Sequence, residues 1–274
     1  FSLDSETGYG SYAAVSTASF DVTADGPHTI RIKARDQAGN ESPALAVIVR
    51  VNTVPPAVTI GAPTPAFLTN QASMAVTGTA NASSALTGVT VNGQAAALVG
   101  NLFTAVVALA EGPNTITATA RDAAGNLGTA TVAGTLDTTA PTVTITAPAT
   151  GFLTNQPALT VIGTVTDAAT ISEVTVNGQV VTLTGTGFSR SLVLGEGANT
   201  ITVSARDAAG NTGTATVSGT VDTLPPIITF TTPSADAVLS TTPLAVTGTV
   251  SEAVASITVN GVAASDFHDV LSSL

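Results

Sequence analysis

Cysteine is absent from this chain, so no disulfide framework holds it together, although that absence alone fixes no compartment. Tryptophan is also absent and aromatic residues make up only 4%, which leaves little for the exposed aromatic platforms on which sugars stack. Charge is scarce: 9% of the residues are charged, against the usual quarter or so. What charge there is leans one way, with 18 acidic and seven basic side chains giving a net −11, and a nucleic-acid partner, which needs a basic face, is excluded. No apolar run approaches the roughly 20 residues of a membrane span, and no signal peptide is visible. The two histidines, His28 and His268, are too far apart in sequence to form a zinc motif, and neither a nucleophile motif nor a phosphate-binding glycine loop is present. We therefore expect no enzyme. The chain opens on Phe1 rather than Met, which leads us to expect sequence upstream of it.

What remains is rich in Ala, Thr, Val and Gly, and it repeats. Asn52, Asp137 and Asp222 open successive units at a constant spacing, the mark of a domain array. The boundaries predict a partial domain at 1–51, whole domains at 52–136 and 137–221, and a partial domain at 222–274. In the unit 137–221, short alternating runs separated by turn residues predict strands at 142–147, 159–166, 173–176, 179–183, 188–194, 200–206 and 212–221. Asn177-Gly178 predicts a tight hairpin, because both positions tolerate positive φ. Seven strands in one unit of this length is the count of a Greek-key sandwich, so the fold class is all-β, in tandem immunoglobulin-like sandwiches. Arg190 falls in phase with the inward residues Phe188 and Leu192, where an unpaired Arg is costly, so a bulge or a strand end is expected there. Linkers are short. Pro55-Pro56, Pro141 and Pro225-Pro226 stiffen them, which predicts an elongated, semi-rigid row.

Recurrent motifs accompany the period. Val-Asn-Gly stands at 91–93, 176–178 and 259–261, Phe-Leu-Thr-Asn-Gln at 67–71 and 152–156, and Ala-Arg-Asp-x-Ala-Gly-Asn at 34–40, 120–126 and 205–211. With the Asp-Thr-x-x-Pro opening, the chain resembles the bacterial immunoglobulin-like (Big-type) tandem repeats. The resemblance implies an extracellular or cell-surface place, in adhesins or beside secreted hydrolases.

Because carboxylates are few, their placement is informative. A seven-strand sandwich brings Asp137 in the linker, Asp167 in the loop after the second strand, and Asp207 and Asn211 in the last hairpin loop to one end. Glu111 of the preceding unit faces them. Four carboxylates at one junction repel each other unless a cation is present, and Ca²⁺, with six to eight oxygen ligands, suits this supply. The resemblance points the same way, since some such repeats bind Ca²⁺ between domains. The alternative for Asp207 is a plain Asx-turn. Asp25, Asn52, Asp122 and Asn126 form a poorer set at the preceding junction, because Ala82 stands where Asp167 does. Arg31, Lys33 and Arg35 alternate with apolar residues and line one strand face, either for an acidic partner or as a solvated face.

His28 holds the turn position of Asn114 and Asn199, and the run Asp266-Phe267-His268-Asp269 reads as a loop or frayed end. Two functions stay open. One is a structural or adhesive stalk or fibre. The other is a carbohydrate-binding accessory module of a secreted hydrolase, for which Tyr9 and Tyr12 are the aromatic candidates. The expected partners are neighbouring domains of a longer array or a second copy of the chain, joined head to tail through the two half-domains, with a surface glycan or protein at the tip.

Overall fold

The computed structural model describes residues 2–3, 21–240 and 244–264. The described residues are all strand, turn and loop, with no helix. They form two compact units. The first runs to Pro141 and includes the loops Asp167–Ser172 and Arg206–Gly213, and the second holds the remainder.

Ahead of the whole repeats lie β1 (Ser2–Leu3), β2 (Gly26–Ile32) and β3 (Leu45–Val51), in one sheet of order β1-β2-β3. The first whole repeat contains β4 (Ala57–Ala62), β5 (Phe67–Thr69), β6 (Ser73–Asn81), β7 (Leu86–Val91), β8 (Gln94–Ala95), β9 (Ala97–Val99), β10 (Leu102–Ala108), β11 (Gly112–Asp122) and β12 (Leu127–Leu136). The second contains β13 (Thr142–Ala147), β14 (Phe152–Thr154), β15 (Ala158–Thr166), β16 (Ile171–Val176), β17 (Gln179–Val180), β18 (Gly187–Val193), β19 (Gly197–Asp207) and β20 (Thr212–Val221). Four short strands follow: β21 (Ile228–Thr232), β22 (Thr247–Val250), β23 (Thr258–Val259) and β24 (Val262–Ala263).

Each whole repeat is a two-sheet sandwich. In the first, β4-β6-β10-β9 faces β5-β12-β11-β7-β8; in the second, β13-β15-β18 faces β14-β20-β19-β16-β17. Alternating residues turn inward, as a half-buried strand requires. Val76, Val89, Val91, Phe103, Ile116 and Val132 make the first core, and Val161, Val174, Val176, Phe188, Ile201 and Val217 the second. Glycine makes room for the two rings. A Cβ at Gly78 or Gly163 would overlap Phe103 or Phe188 and the carbonyl of the neighbouring strand. The hairpin of β16 and β17 turns on Asn177 and Gly178 at φ 47° and 76°. The Asn177 side chain also accepts the Thr202 N–H at 2.8 Å, which ties the turn to β19 and gives the recurring Val-Asn-Gly a structural cause.

Three expectations need correction. The strands β5 and β14 are additional to the seven read from the pattern. They run parallel to β12 and β20, and Phe67 and Phe152 lie over Gly134 and Gly219. Arg190 sits in unbroken register opposite Val161, with no bulge. Because β18 is the edge of its sheet, the guanidinium reaches across to Val180, whose carbonyl accepts from Nη1 at 3.2 Å. In the first fragment β2 stops at Ile32, so Lys33 and Arg35 lie beyond the strand.

Candidate cation site and linker clamps

The linker into the second repeat is held by side chains from two loops and by one backbone bond, all within the first compact unit. Glu111, in the turn between β10 and β11, accepts the Thr138 N–H at 3.2 Å and the Thr138 hydroxyl at 2.8 Å. The same clamp recurs one repeat later, where Glu196 accepts from Thr223 N at 3.1 Å and Oγ1 at 2.7 Å. At the linker before the first repeat, Asp25 accepts Thr53 N and Oγ1, both at 2.9 Å. Glu111 is therefore occupied with the linker and does not join the acidic cluster. The Asp137 N–H donates to Thr69 at 2.9 Å, and Asn211 Nδ2 donates to the Asp137 carbonyl at 2.7 Å.

The loop 207–211 is built on its first residue. Asp207 is 1% exposed. Its Oδ1 accepts Gly210 N at 2.6 Å and Asn211 N at 2.8 Å, and its Oδ2 accepts Asn211 Nδ2 at 2.8 Å. Gly210 takes φ 101°, which requires glycine. Burial works against the charged form of Asp207. The hydrogen bonds from Asn211, Gly210 and Ala209 outweigh it and hold the carboxyl below its ordinary 3.8. Asp207 is thus ionised at neutral pH, and the Asx-turn reading describes its own loop.

Asp137 and Asp167 approach it. One oxygen from each of Asp137, Asp167 and Asp207 lies within 4.8 Å of the others. Asp137 is 8% exposed and accepts Thr139 N at 3.0 Å. Asp167 accepts Ala169 N at 2.7 Å through Oδ1, while its Oδ2 is enclosed and has no partner. A hard cation with Ca²⁺–oxygen distances of about 2.3–2.6 Å spans about 5 Å between opposite ligands, so one ion fits among three such oxygens. An orphaned, enclosed carboxylate oxygen is the atom such an ion would satisfy. Asn211 spends its amide as a donor within this group. A cleft of about 430 Å³ adjoins it, lined by Leu68, Glu111, Leu136, Asp137 and Ala208 among others.

The preceding set is built differently. Asn52 Nδ2 donates to Asp122 Oδ2 at 2.7 Å, and Asn126 Nδ2 donates to the same oxygen at 3.0 Å. Asp25 serves the Thr53 clamp and does not join them. Burial opposes ionisation of Asp122, but bonds from Asn126, Ser84 and Ala124 win and lower its pKa.

Elsewhere, Lys33 and Arg35 share Glu41, at 3.6 Å and 2.7 Å. The basic stripe is therefore turned partly inward on its own chain. The His28 ring bonds the Ala24 carbonyl at 2.8 Å, as Asn114 bonds Ala110 and Asn199 bonds Gly195. Tyr9, Tyr12 and His268 lie outside the described residues. Sequence reasoning missed the threonine side of the clamps. Its signal was present, in the Thr that follows each repeat-opening Asn or Asp.

The family described as glucodextranase, domain B, matches twice, at residues 56–138 and 141–223. Bacillopeptidase F of Bacillus subtilis (strain 168) is 34% identical over 156 residues, which are 56% of this chain and 11% of that protein; the match spans about a tenth of its length. Among solved structures, fibronectin(III)-like modules of Clostridium thermocellum CbhA share 20% identity at a TM-score of 0.39, over 61% of this chain and 94% of that one. A 1.5-MDa bacterial ice-binding adhesin shares 22% at 0.34, over 73% and 75%.

Proposed function

The chain belongs to the glucodextranase domain B family, and from that premise we propose that it is a non-catalytic spacer of an extracellular protein, its linkers fixed by polar clamps and, at Asp137, by Ca²⁺. One observation carries the reading. The carboxylates of Asp25, Glu111 and Glu196 each hold the threonine of a linker, so the scarce acids are spent on the linkers. Asp137, Asp167 and Asp207 would hold the ion. It would supply the positive charge that three neighbouring carboxylates lack, and Asp167 Oδ2 is the support for it. Extracellular modules bind Ca²⁺ at about 10⁻⁴–10⁻³ M, a range in which extracellular calcium suffices.

The absence of cysteine makes the test clean. Spin labels at Thr104→Cys and Ser189→Cys, both exposed, report the distance distribution between the two repeats. A spacer of this kind narrows that distribution when Ca²⁺ replaces chelator. A width that is broad and unchanged by Ca²⁺ refutes it.

A second reading, fibre formation through a second copy, is favoured by the exposed apolar side chains of β3 (Leu45, Ile48) and β21 (Ile228, Phe230). The β2–β3 hairpin of one copy would cover the β21–β22 pair of the next. Light scattering that reports a monomer at high concentration refutes it.

A further inference from the structure

Around Asn52 every polar atom of the side chain is used. Nδ2 donates to Asp122 Oδ2 at 2.7 Å and to Ser84 Oγ at 3.0 Å. Oδ1 accepts Ser83 Oγ at 2.9 Å and Val54 N at 3.2 Å. That exhausts both amide hydrogens and both acceptor positions of the carboxamide. Asn126 completes the set, donating to Asp122 through N at 2.8 Å and Nδ2 at 3.0 Å, and to the Asn52 carbonyl at 3.0 Å. One carboxylate, that of Asp122, is surrounded by neutral donors.

The counterparts in the next repeat differ as a group. Asp207 and Asn211 stand where Asp122 and Asn126 do. Asp137 replaces Asn52, and Ala168 and Ala169 replace Ser83 and Ser84. Asp167 replaces Ala82. The amide that donated to the buried carboxylate is gone, and so are the two hydroxyls that oriented it. In their place stand two further carboxylates, one with an enclosed oxygen that nothing satisfies. The four changes make chemical sense together and little sense singly. An Asp at 137 without Asp167 would leave a pair of acids, and the serines without Asn52 would have no carboxamide to hold.

We infer that the residue opening each of the two whole repeats selects how that joint is closed: Asn52 closes its joint with its own amide, independent of metal, whereas Asp137 leaves its joint to a divalent cation. The inference rests on the cation reading of Asp137, Asp167 and Asp207 and extends it to regulation. Calcium then stiffens one joint and leaves the other as it was, so the array has one switchable segment beside a permanent one.

The test is calorimetric titration of CaCl₂ into the full chain, with melting in chelator and in Ca²⁺. The wild type binds one ion in this account, and Asn52→Asp/Ala82→Asp/Ser83→Ala/Ser84→Ala binds two. The reciprocal variant, Asp137→Asn/Asp167→Ala/Ala168→Ser/Ala169→Ser, binds none, and its melting no longer responds to Ca²⁺. One ion in the wild type but no gain or loss in either variant overturns the inference and leaves the cation reading standing. Two ions in the wild type, one of them lost on Asp122→Asn, overturn it as well, because the Asn52 joint then takes metal. No ion in the wild type sinks both. If the first variant folds only with Ca²⁺, that dependence supports the account, and the reciprocal variant decides independently.

Discussion

Replacing Asp167 by Asn is expected to stabilise the chain without calcium and to lose that advantage with it. The Asn keeps an oxygen for the Ala169 N–H, so the loop bond survives, and what changes is one negative charge. That charge faces Asp137 and Asp207 with ligand oxygens no more than 4.8 Å apart. Each such pair repels by about 3.5 kcal/mol at an effective dielectric of 20 and by about 0.9 kcal/mol in water. Asp167 is only partly buried, so screening puts the sum for two pairs near the lower bound, at about 2 kcal/mol. In chelator the Asn variant is therefore more stable than the wild type, by roughly 1–2 kcal/mol, or some 4–8 °C per kcal/mol for a domain of this size. In about 5 mM Ca²⁺ the wild type gains about 1–2.3 kcal/mol if the dissociation constant lies between about 10⁻³ and 10⁻⁴ M. The variant, short of one ligand, gains less, so its lead shrinks in Ca²⁺ and disappears as the wild-type dissociation constant approaches about 10⁻⁴ M. Calorimetric scans of both proteins in both buffers read this directly. If Asp167→Asn lowers the melting temperature equally in chelator and in Ca²⁺, the carboxylate belongs to an ordinary polar network and the reasoning fails.

Other outcomes follow from the same structure. Gly163→Ala places a methyl group into the Phe188 ring and the Thr144 carbonyl, and should cost about 3 kcal/mol or more in denaturant unfolding, partly recovered by Phe188→Leu. Glu111→Ala and Thr138→Val should each cost about 1 kcal/mol, and the double variant little more than either alone, since they share one clamp. Asp122 and Asp207 have folded-state pKa values below the ordinary 3.8. Their contribution is complete above the unfolded value and disappears as pH falls through the lower folded one. Circular-dichroism melts should therefore be insensitive to these groups between pH 7 and about 5 and weaken below about 4.

The fold was largely legible because the period and the alternation of Thr and Val determine which residues turn inward. The strand 142–147 was read at the bounds β13 has, and Asn177-Gly178 makes the hairpin its sequence demands. The strands β5 and β14 escaped because three residues are too few to show a period; their positions depend on Phe67 and Phe152 meeting Gly134 and Gly219, which are distant in sequence. The site was half legible. Topology alone brought Asp137, Asp167 and Asp207 to one end of the sandwich. It could not tell that Glu111 would turn to Thr138, or that Asn52 would present its amide rather than its oxygen to Asp122, because both depend on side-chain orientation. The surroundings of the basic stripe were hidden for a related reason: Glu41, a short way beyond Arg35, folds back onto Lys33 and Arg35.

The most direct test of the account is a high-resolution crystal structure of the full chain grown with Ca²⁺. The account predicts a single strong peak between Asp137, Asp167 and Asp207, at about 2.3–2.6 Å from an oxygen of each, with Asp167 Oδ2 among the ligands. A water or a side chain bonded to Asp167 Oδ2 in saturating Ca²⁺, with no ion among the three carboxylates, would contradict it.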